Sequence, residues 1–263
     1  CRLQEDVLCH NPDLVFIEFR VNGGGGYEAR SMEGVVRQIW RANPATDICF
    51  VYTICESMLP AIREGRNTGF GSAMEAIANR YGIPTIDFGV EVVKQEKAGT
   101  LVFHADEAPA GKLLFARDGV HPGDGGHDIY RDVVARSVQM MELLSTLGAH
   151  DLGEPMDADN WEVATLLPID RAALSDGWAT VDMAADPVVN KDAGRTKGML
   201  RAARRCDTAG ASITVHFEGT TVGFSDIPSV EPIELEVVID GAQVIPAKRA
   251  STENSRTYAR FWY

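Results

Sequence analysis

The sequence lacks long apolar runs and is poor in basic residues. No apolar segment approaches the ~18 residues that a membrane-crossing helix needs. Lysine and arginine number 25 against 38 aspartates and glutamates, which gives a net charge of -13 at pH 7. Such a surface repels phosphate backbones and anionic lipids, so we expect no nucleic-acid partner. Because no apolar segment is long enough, we also expect no membrane span. Neutral small molecules, including carbohydrate esters, remain compatible with this charge.

Cysteine is scarce as well, with 5 in 263 residues. The count is odd, the spacing is irregular and no CxxC pair occurs, so we expect neither a disulfide framework nor a zinc site. Cys49 lies within an apolar run and is expected to behave as a small buried hydrophobe. Free thiols weakly favour the cytoplasm, and the compartment stays open. The glycine run 23–26 lacks the lysine and spacing of a phosphate loop, which argues against a nucleotide site.

The first half of the chain alternates short apolar runs with segments of helical periodicity. Strands are predicted at 14–19, 48–53 and 85–88, helices at 31–42, 71–81, 89–97 and 125–146, and a loop at 111–122. This alternation predicts right-handed βαβ crossovers and a parallel sheet whose strands are buried on both faces. Functional groups gather at the carboxyl ends of the strands in such sheets.

The pattern changes in the second half. Residues 149–160 are polar and rich in Gly, Pro and Asp, and are predicted to form a linker. The later apolar periodicity is nearer two, and Asp240-Gly241 is a hairpin turn signal. Strands are predicted at 213–217, 220–224 and 233–239. We therefore expect an α/β domain over 1–148, the linker, and a β-sandwich of jelly-roll type over 161–263.

Asp118 precedes His121 by three residues in the segment DGVHP, on a loop before a predicted helix. A carboxylate there can accept a hydrogen bond from one imidazole nitrogen and fix the tautomer. The other nitrogen is then free to act as general base for a serine hydroxyl. The alternative is a solvated loop acid beside an incidental histidine.

Asn22 directly follows the first predicted strand. A side-chain amide at this edge is a suitable neutral donor to a tetrahedral oxyanion, and losing one such donor costs about 3 kcal/mol of transition-state stabilisation. The alternative is a turn asparagine that tolerates a left-handed backbone beside glycines. His104 and Asp106 likewise either border a substrate or belong to a solvated loop. Trp161 and Trp178 either stack on sugar rings or pack within the protein.

In this order, PDLVFIEFRVNG, ATDICFVYT, YGIPTIDFG and DGVHPGDGGHDIY resemble the SGNH (GDSL-type) ester hydrolase family over about residues 1–146. The resemblance matches Asn22 to the oxyanion asparagine, and Asp118 and His121 to the DxxH block. It implies a flavodoxin-like three-layer α/β/α fold, hydrolysis of carboxylic esters through an acyl-serine, and no metal or organic cofactor. The second half more weakly resembles accessory domains beside bacterial esterases of sugars, which implies a carbohydrate O-acyl (acetyl) ester as substrate.

The nucleophile is missing from this match. The family's first block is Gly-Asp-Ser, and no such tripeptide occurs in the sequence. Ser31, Ser57 and Ser72 lie in helix or loop segments and are not expected to replace it. A sheet without the strand before that block would expose an apolar edge. We therefore expect a fragment of a longer enzyme, with a non-catalytic carbohydrate-binding or scaffold protein as the alternative.

Overall fold

The computed structural model describes residues 2–23, 28–145, 148–190, 202–226, 233–249 and 260–262. The chain forms two compact units, Cys1–Leu166 and Leu167–Tyr263. Within the described residues, no helix is both long and apolar enough to cross a membrane.

The first unit alternates helices with short strands. Its helices are α1 (Leu3–Asp6), α2 (Glu28–Ala42), α3 (Leu59–Arg63), α4 (Phe70–Tyr81), α5 (Phe88–Lys97) and α6 (Asp124–Leu144). Its strands are β1 (Leu14–Ile17), β2 (Asp47–Tyr52), β3 (Thr85–Asp87), β4 (Leu101–His104) and β5 (Leu113–Ala116). Short 3-10 turns cover Leu8–His10 and Glu56–Met58. Strands β1, β2 and β3 pair in that order in parallel, and β4 pairs with β5 in parallel. The prediction of a parallel α/β arrangement is confirmed.

Strand β2 shows why the first unit has a core on both faces of its sheet. Successive strand side chains point to opposite faces. Ile48 and Phe50 pack in one apolar cluster with residues of α2 and α4. Cys49 and Val51 pack in a second cluster with residues of α5 and α6. Cys49 is 1% exposed, as expected of a small hydrophobe, and burial raises the pKa of its thiol to about 11.

Two helix boundaries follow directly from local sequence. Helix α4 ends at Gly82, whose φ of 67° is a left-handed conformation that glycine adopts without a Cβ clash. Helix α5 begins after Asp87, whose side chain accepts a hydrogen bond from the Gly89 backbone N–H at 2.8 Å. Asp87 therefore both closes β3 and caps the next helix.

The first unit differs from the prediction at its strands. Leu14 and Phe16 of β1 are 45% and 46% exposed, although burial on both faces was expected. Among the described residues β1 is an edge strand, with a strand neighbour on one side only, and neither Leu14 nor Phe16 belongs to a core cluster. Strand β4 was not predicted, and β5 occupies part of the predicted loop 111–122. Both are too short for sequence periodicity to identify, and they form by pairing with each other.

The predicted linker 149–160 is packed within the first unit. Glu33 of α2 is 1% exposed, and its carboxylate accepts hydrogen bonds from the backbone N–H groups of Met156 and Asp157 at 2.5 and 3.0 Å. Arg37 donates to the carbonyl of Leu152 at 3.1 Å. These polar anchors fix a segment whose composition alone indicates a loop. The assignment of the chain to functional domains stays a prediction.

In its described residues, the second unit contains antiparallel strand pairs, a 3-10 turn at Ile169–Arg171 and one short α-helix, α7 (Pro187–Asn190). Its strands are β6 (Ala173–Leu174), β7 (Ala179–Thr180), β8 (Arg204–Arg205), β9 (Ile213–Thr214), β10 (Phe224–Asp226), β11 (Ile233–Ile239), β12 (Ala242–Arg249) and β13 (Arg260–Trp262). The pairs are β6 with β9, β7 with β8, β10 with β13, and β11 with β12.

The hairpin of β11 and β12 matches the sequence prediction for the second unit. Asp240 and Gly241, between these strands, both have positive φ, at 51° and 78°. A two-residue hairpin turn requires this geometry, and it explains the Asp-Gly sequence. The predicted strands 213–217 and 220–224 are shorter or displaced, with β9 ending at Thr214 and β10 beginning at Phe224.

Candidate active site

Asp118 and His121 form a hydrogen-bonded pair on the loop after β5. The Nδ1 atom of His121 lies 2.6 Å from Oδ2 of Asp118. The other carboxylate oxygen accepts the backbone N–H groups of Val120 and His121 at 2.9 and 2.8 Å. The hydrogen bond from His121, followed by these two backbone bonds, holds the pKa of Asp118 well below its usual range.

The carboxylate of Asp118 therefore stays ionised and orients the imidazole of His121. Since Asp118 uses Nδ1, the Nε2 atom is the ring nitrogen left for a reacting group. The His121 side chain is 82% exposed, so a substrate can reach it. This is the arrangement in which a histidine serves as general base.

The loop that carries the pair is closed at its base. Ala116 and Pro122 form an isolated antiparallel bridge, and the Gly123 N–H donates to the Phe115 carbonyl at 2.8 Å. Gly119, inside the loop, has a φ of 74°. A residue other than glycine is strained there, so the tight DGVHP loop depends on this position.

A second histidine–carboxylate pair lies against the same loop. His104 Nδ1 is 2.8 Å from Glu56 Oε2, and the Glu56 N–H donates to the Gly119 carbonyl at 2.8 Å. A Cβ placed on Gly119 would be 2.7 Å from Glu56 Oε2. Glu56 follows β2, His104 ends β4 and Gly119 follows β5, so the carboxyl ends of these strands meet here.

The sequence pattern does not identify Glu56, and it leaves two roles open for His104. The feature of the sequence that could have identified both residues is their position at or just beyond the end of an apolar run. Glu56 lies four residues beyond Tyr52, at the end of a strongly apolar strand. His104 ends the run Leu101-Val102-Phe103, which is a strand only through its pairing with β5.

Arg20 forms a buried ion pair beside the turn that carries Asn22. Its side chain is fully buried, and its Nη1 and Nη2 atoms each lie 2.8 Å from one carboxylate oxygen of Asp87. Its remaining donors bond the carbonyls of Thr53 and Tyr52 at 2.6 and 3.1 Å. Arg20 thus connects the ends of β1, β2 and β3. A buried arginine was not expected from the sequence, because arginine is almost always exposed.

Asn22 is exposed in the turn 20–22 after β1. The turn is closed by the Gly23 N–H, which donates to the Phe19 carbonyl at 2.6 Å. Within the described residues the Asn22 side chain forms no hydrogen bond. Its amide is therefore available to a ligand, and its role as an oxyanion donor stays a prediction.

The three serines considered as replacements for the missing nucleophile lie in helices or in a 3-10 turn. Ser31 lies in α2 and Ser72 in α4, whereas Ser57 lies in the 3-10 turn beside Glu56, with its Oγ 3.3 Å from Cys55 Sγ. Across the described part of the chain, no hydroxyl or thiol is hydrogen-bonded to His121. In the same part, no cluster of three His, Cys, Asp or Glu side chains is arranged to bind a metal ion.

A groove of about 520 Å³ lies beside the hydrogen-bonded pair of Asp118 and His121. Asp118 and His121 line it together with the apolar side chains of Leu113, Leu114 and Phe115 and the charged side chain of Arg117. A groove with this mixed lining can accept a small ligand group beside the imidazole of His121.

No protein-family model and no curated protein sequence matches the chain. Among solved structures, the chain is similar to a two-domain esterase (CEX) active on acetylated mannans, co-crystallized with mannopentaose, at 17% identity and a TM-score of 0.65. That alignment covers 100% of this chain and 66% of the other. A second structure of such an esterase aligns over 68% of this chain and 43% of its own, at 19% identity and a TM-score of 0.42. The first likeness shows that the chain has an α/β esterase fold.

Proposed function

We propose that this protein is an SGNH-type serine ester hydrolase acting on O-acyl, in particular O-acetyl, groups of carbohydrates. The observation that carries the proposal is the pair of Asp118 and His121, with one imidazole nitrogen 2.6 Å from the carboxylate and the side chain 82% exposed. The fold it shares with an esterase active on acetylated mannans supports the same reaction class.

In the proposed reaction, His121 Nε2 takes the proton of a serine hydroxyl as that oxygen attacks the ester carbonyl. The same proton then passes to the leaving sugar alkoxide, and an acyl-serine remains. Water hydrolyses the acyl-serine with His121 again as base. Asp118 stabilises the transient imidazolium, and the Asn22 amide donates to the oxyanion.

We further propose that the first unit is a flavodoxin-like SGNH domain and that the second is a β-sandwich accessory domain, like those found beside esterases of sugars. The four antiparallel pairs of the second unit are compatible with a sandwich. The net charge of -13 favours neutral sugars over anionic ones.

Hydrolysis of p-nitrophenyl acetate and of acetylated mannan by the 263-residue chain tests the proposal. In a protein that supplies the serine nucleophile, we expect turnover that His121→Ala reduces by about 10²- to 10⁴-fold, because the general base is lost. His10→Ala, an exposed histidine of the same unit, is the control and is expected to leave the rate unchanged. Equal rates in the two variants would contradict the role of His121.

A non-catalytic carbohydrate-binding protein derived from such an esterase is the second candidate. It is favoured by one observation, that no hydroxyl or thiol in the described residues is hydrogen-bonded to His121. Binding of mannan oligosaccharides without any ester turnover would support it over the hydrolase. Labelling by a fluorophosphonate, followed by peptide mass mapping, would identify a nucleophile if one is present.

A further inference from the structure

We propose that Glu56 and His104 form a subsite for the hydroxyl groups of a neutral sugar, next to the reacting ester. This inference rests on the proposed carbohydrate substrate. The two side chains lie 2.8 Å apart, at the edge where the strand ends meet.

The pair of Glu56 and His104 lies against the loop that carries Asp118 and His121. Glu56 contacts Gly119 through its backbone and its carboxylate. Gly119 lies between Asp118 and His121, so the pair adjoins the loop of the general base. A sugar whose acyl group reaches His121 would extend its neighbouring hydroxyls from this loop.

His104 and Glu56 each have a hydrogen-bond acceptor that their mutual hydrogen bond does not use. With the Glu56 carboxylate ionised, the short bond to His104 places the ring proton on Nδ1, and Nε2 is left as an acceptor. The pair also offers the second carboxylate oxygen of Glu56. The His104 and Glu56 side chains are 38% and 53% exposed, so both acceptors can reach a ligand. Sugar hydroxyls are donors that two adjacent acceptors can bind together.

The Glu56 carboxylate lies beside His104, and no Lys or Arg among the described residues forms an ion pair with it. The subsite therefore favours neutral hydroxyl-rich sugars and disfavours uronic acids.

The variant His104→Asn separates this function from a purely structural one. The asparagine amide can take the place of Nδ1–H and keep the hydrogen bond to Glu56, but it has no counterpart of Nε2. We expect the unfolding temperature to stay close to that of the wild type. We expect the Kd for mannopentaose, from NMR titration of the whole chain, to rise about fivefold, as for one lost hydrogen bond. Glu56→Gln should weaken binding as well, and His10→Asn is the matched control.

The subsite would be overturned by an absence of mannopentaose binding to the wild type, or by equal Kd values for the wild type, His104→Asn and Glu56→Gln. If His104→Asn unfolds, the comparison of Glu56→Gln with Glu64→Gln decides, since Glu64 is an exposed partner of Arg66. Tighter binding of oligogalacturonate than of mannopentaose would also contradict it. Mannopentaose binding without ester hydrolysis, in a protein that supplies the serine nucleophile, would contradict the proposed esterase alone, whereas hydrolysis without that binding would contradict the subsite alone.

Discussion

Arg20 and Asp87 form a two-point ion pair at the carboxyl edge of the sheet, with each guanidinium Nη atom 2.8 Å from a different carboxylate oxygen. The guanidinium is wholly buried and the carboxylate is 27% exposed. Arg20 lies two residues before Asn22, so this pair determines where the Asn22 turn begins. Removing one partner of a buried pair leaves an uncompensated charge, which costs far more than the intact pair contributes.

Asp87→Ala is therefore expected to lower the free energy of unfolding by about 3–5 kcal/mol. The loss includes the cap of α5, since Asp87 also accepts from the Gly89 N–H. Urea unfolding measures the change. The control is Glu64→Ala, which removes the partner of the exposed Arg66 and should cost no more than about 1 kcal/mol. Similar losses in the two variants would show that the buried pair has no special role.

In a protein that supplies the serine nucleophile, Asp118→Asn should reduce ester hydrolysis by about 10²- to 10⁴-fold, because an amide neither fixes the productive tautomer of His121 nor stabilises the imidazolium. Both residues are exposed, so we expect the fold to be retained. The rate of p-nitrophenyl acetate hydrolysis and the far-ultraviolet circular dichroism spectrum check the two expectations. Asp124→Asn, at the exposed start of α6, is the control.

The lowered pKa of Asp118 makes the stability of the fold depend on pH. Its folded pKa lies below the ordinary value of 3.8, chiefly because His121 and then two backbone N–H groups bond the carboxylate. The stabilisation is therefore present above the ordinary pKa and is lost as the pH falls through the folded pKa. Carbon-13 NMR of the side-chain carboxyls should show Asp118 protonating last among the exposed aspartates. Titration of Asp118 near the ordinary value would contradict the hydrogen-bonded geometry.

Gly119→Ala and Gly111→Ala form a matched pair of variants. Both glycines have a φ of 74°, but a Cβ meets Glu56 Oε2 at 2.7 Å at Gly119, and nothing within 4 Å at Gly111. Each variant should lose about 1–2 kcal/mol of stability from the left-handed backbone. Only Gly119→Ala should displace Glu56, seen as a change in the His104 imidazole NMR signals. Identical His104 spectra in the two variants would count against the Glu56–Gly119 contact.

Hydrogen bonds to the Glu33 carboxylate hold the segment around residue 156 in place. Its buried carboxylate accepts the Tyr81 hydroxyl at 2.5 Å as well as two backbone N–H groups of the segment. Glu33→Gln replaces one acceptor oxygen by a donor, so we expect a loss of about 3 kcal/mol. Hydrogen exchange at Met156 and Asp157 should become faster. Glu142→Gln on the exposed end of α6 should change neither quantity.

Several features follow from sequence alone because their causes are local. Gly82 ends α4 because a left-handed residue is needed there, and Asp240-Gly241 gives the hairpin of β11 and β12 for the same reason. The alternation of apolar runs and helical periodicity fixes the α/β class. The spacing of Asp118 and His121 on a closed loop predicts their hydrogen bond.

Other features were decided only by the tertiary structure, because each depends on contacts between residues that are distant in the chain. The burial of Arg20 needs Asp87, 67 residues away, and the packing of residues 149–160 needs Glu33. The pairing of His104 with Glu56 spans 48 residues. Burial, charge compensation and the meeting of strand ends are relations between elements, so no local window of the sequence contains them. The sequence by itself determined most elements of the first unit and the hydrogen bond between Asp118 and His121, and the folded chain decided which other side chains surround that pair.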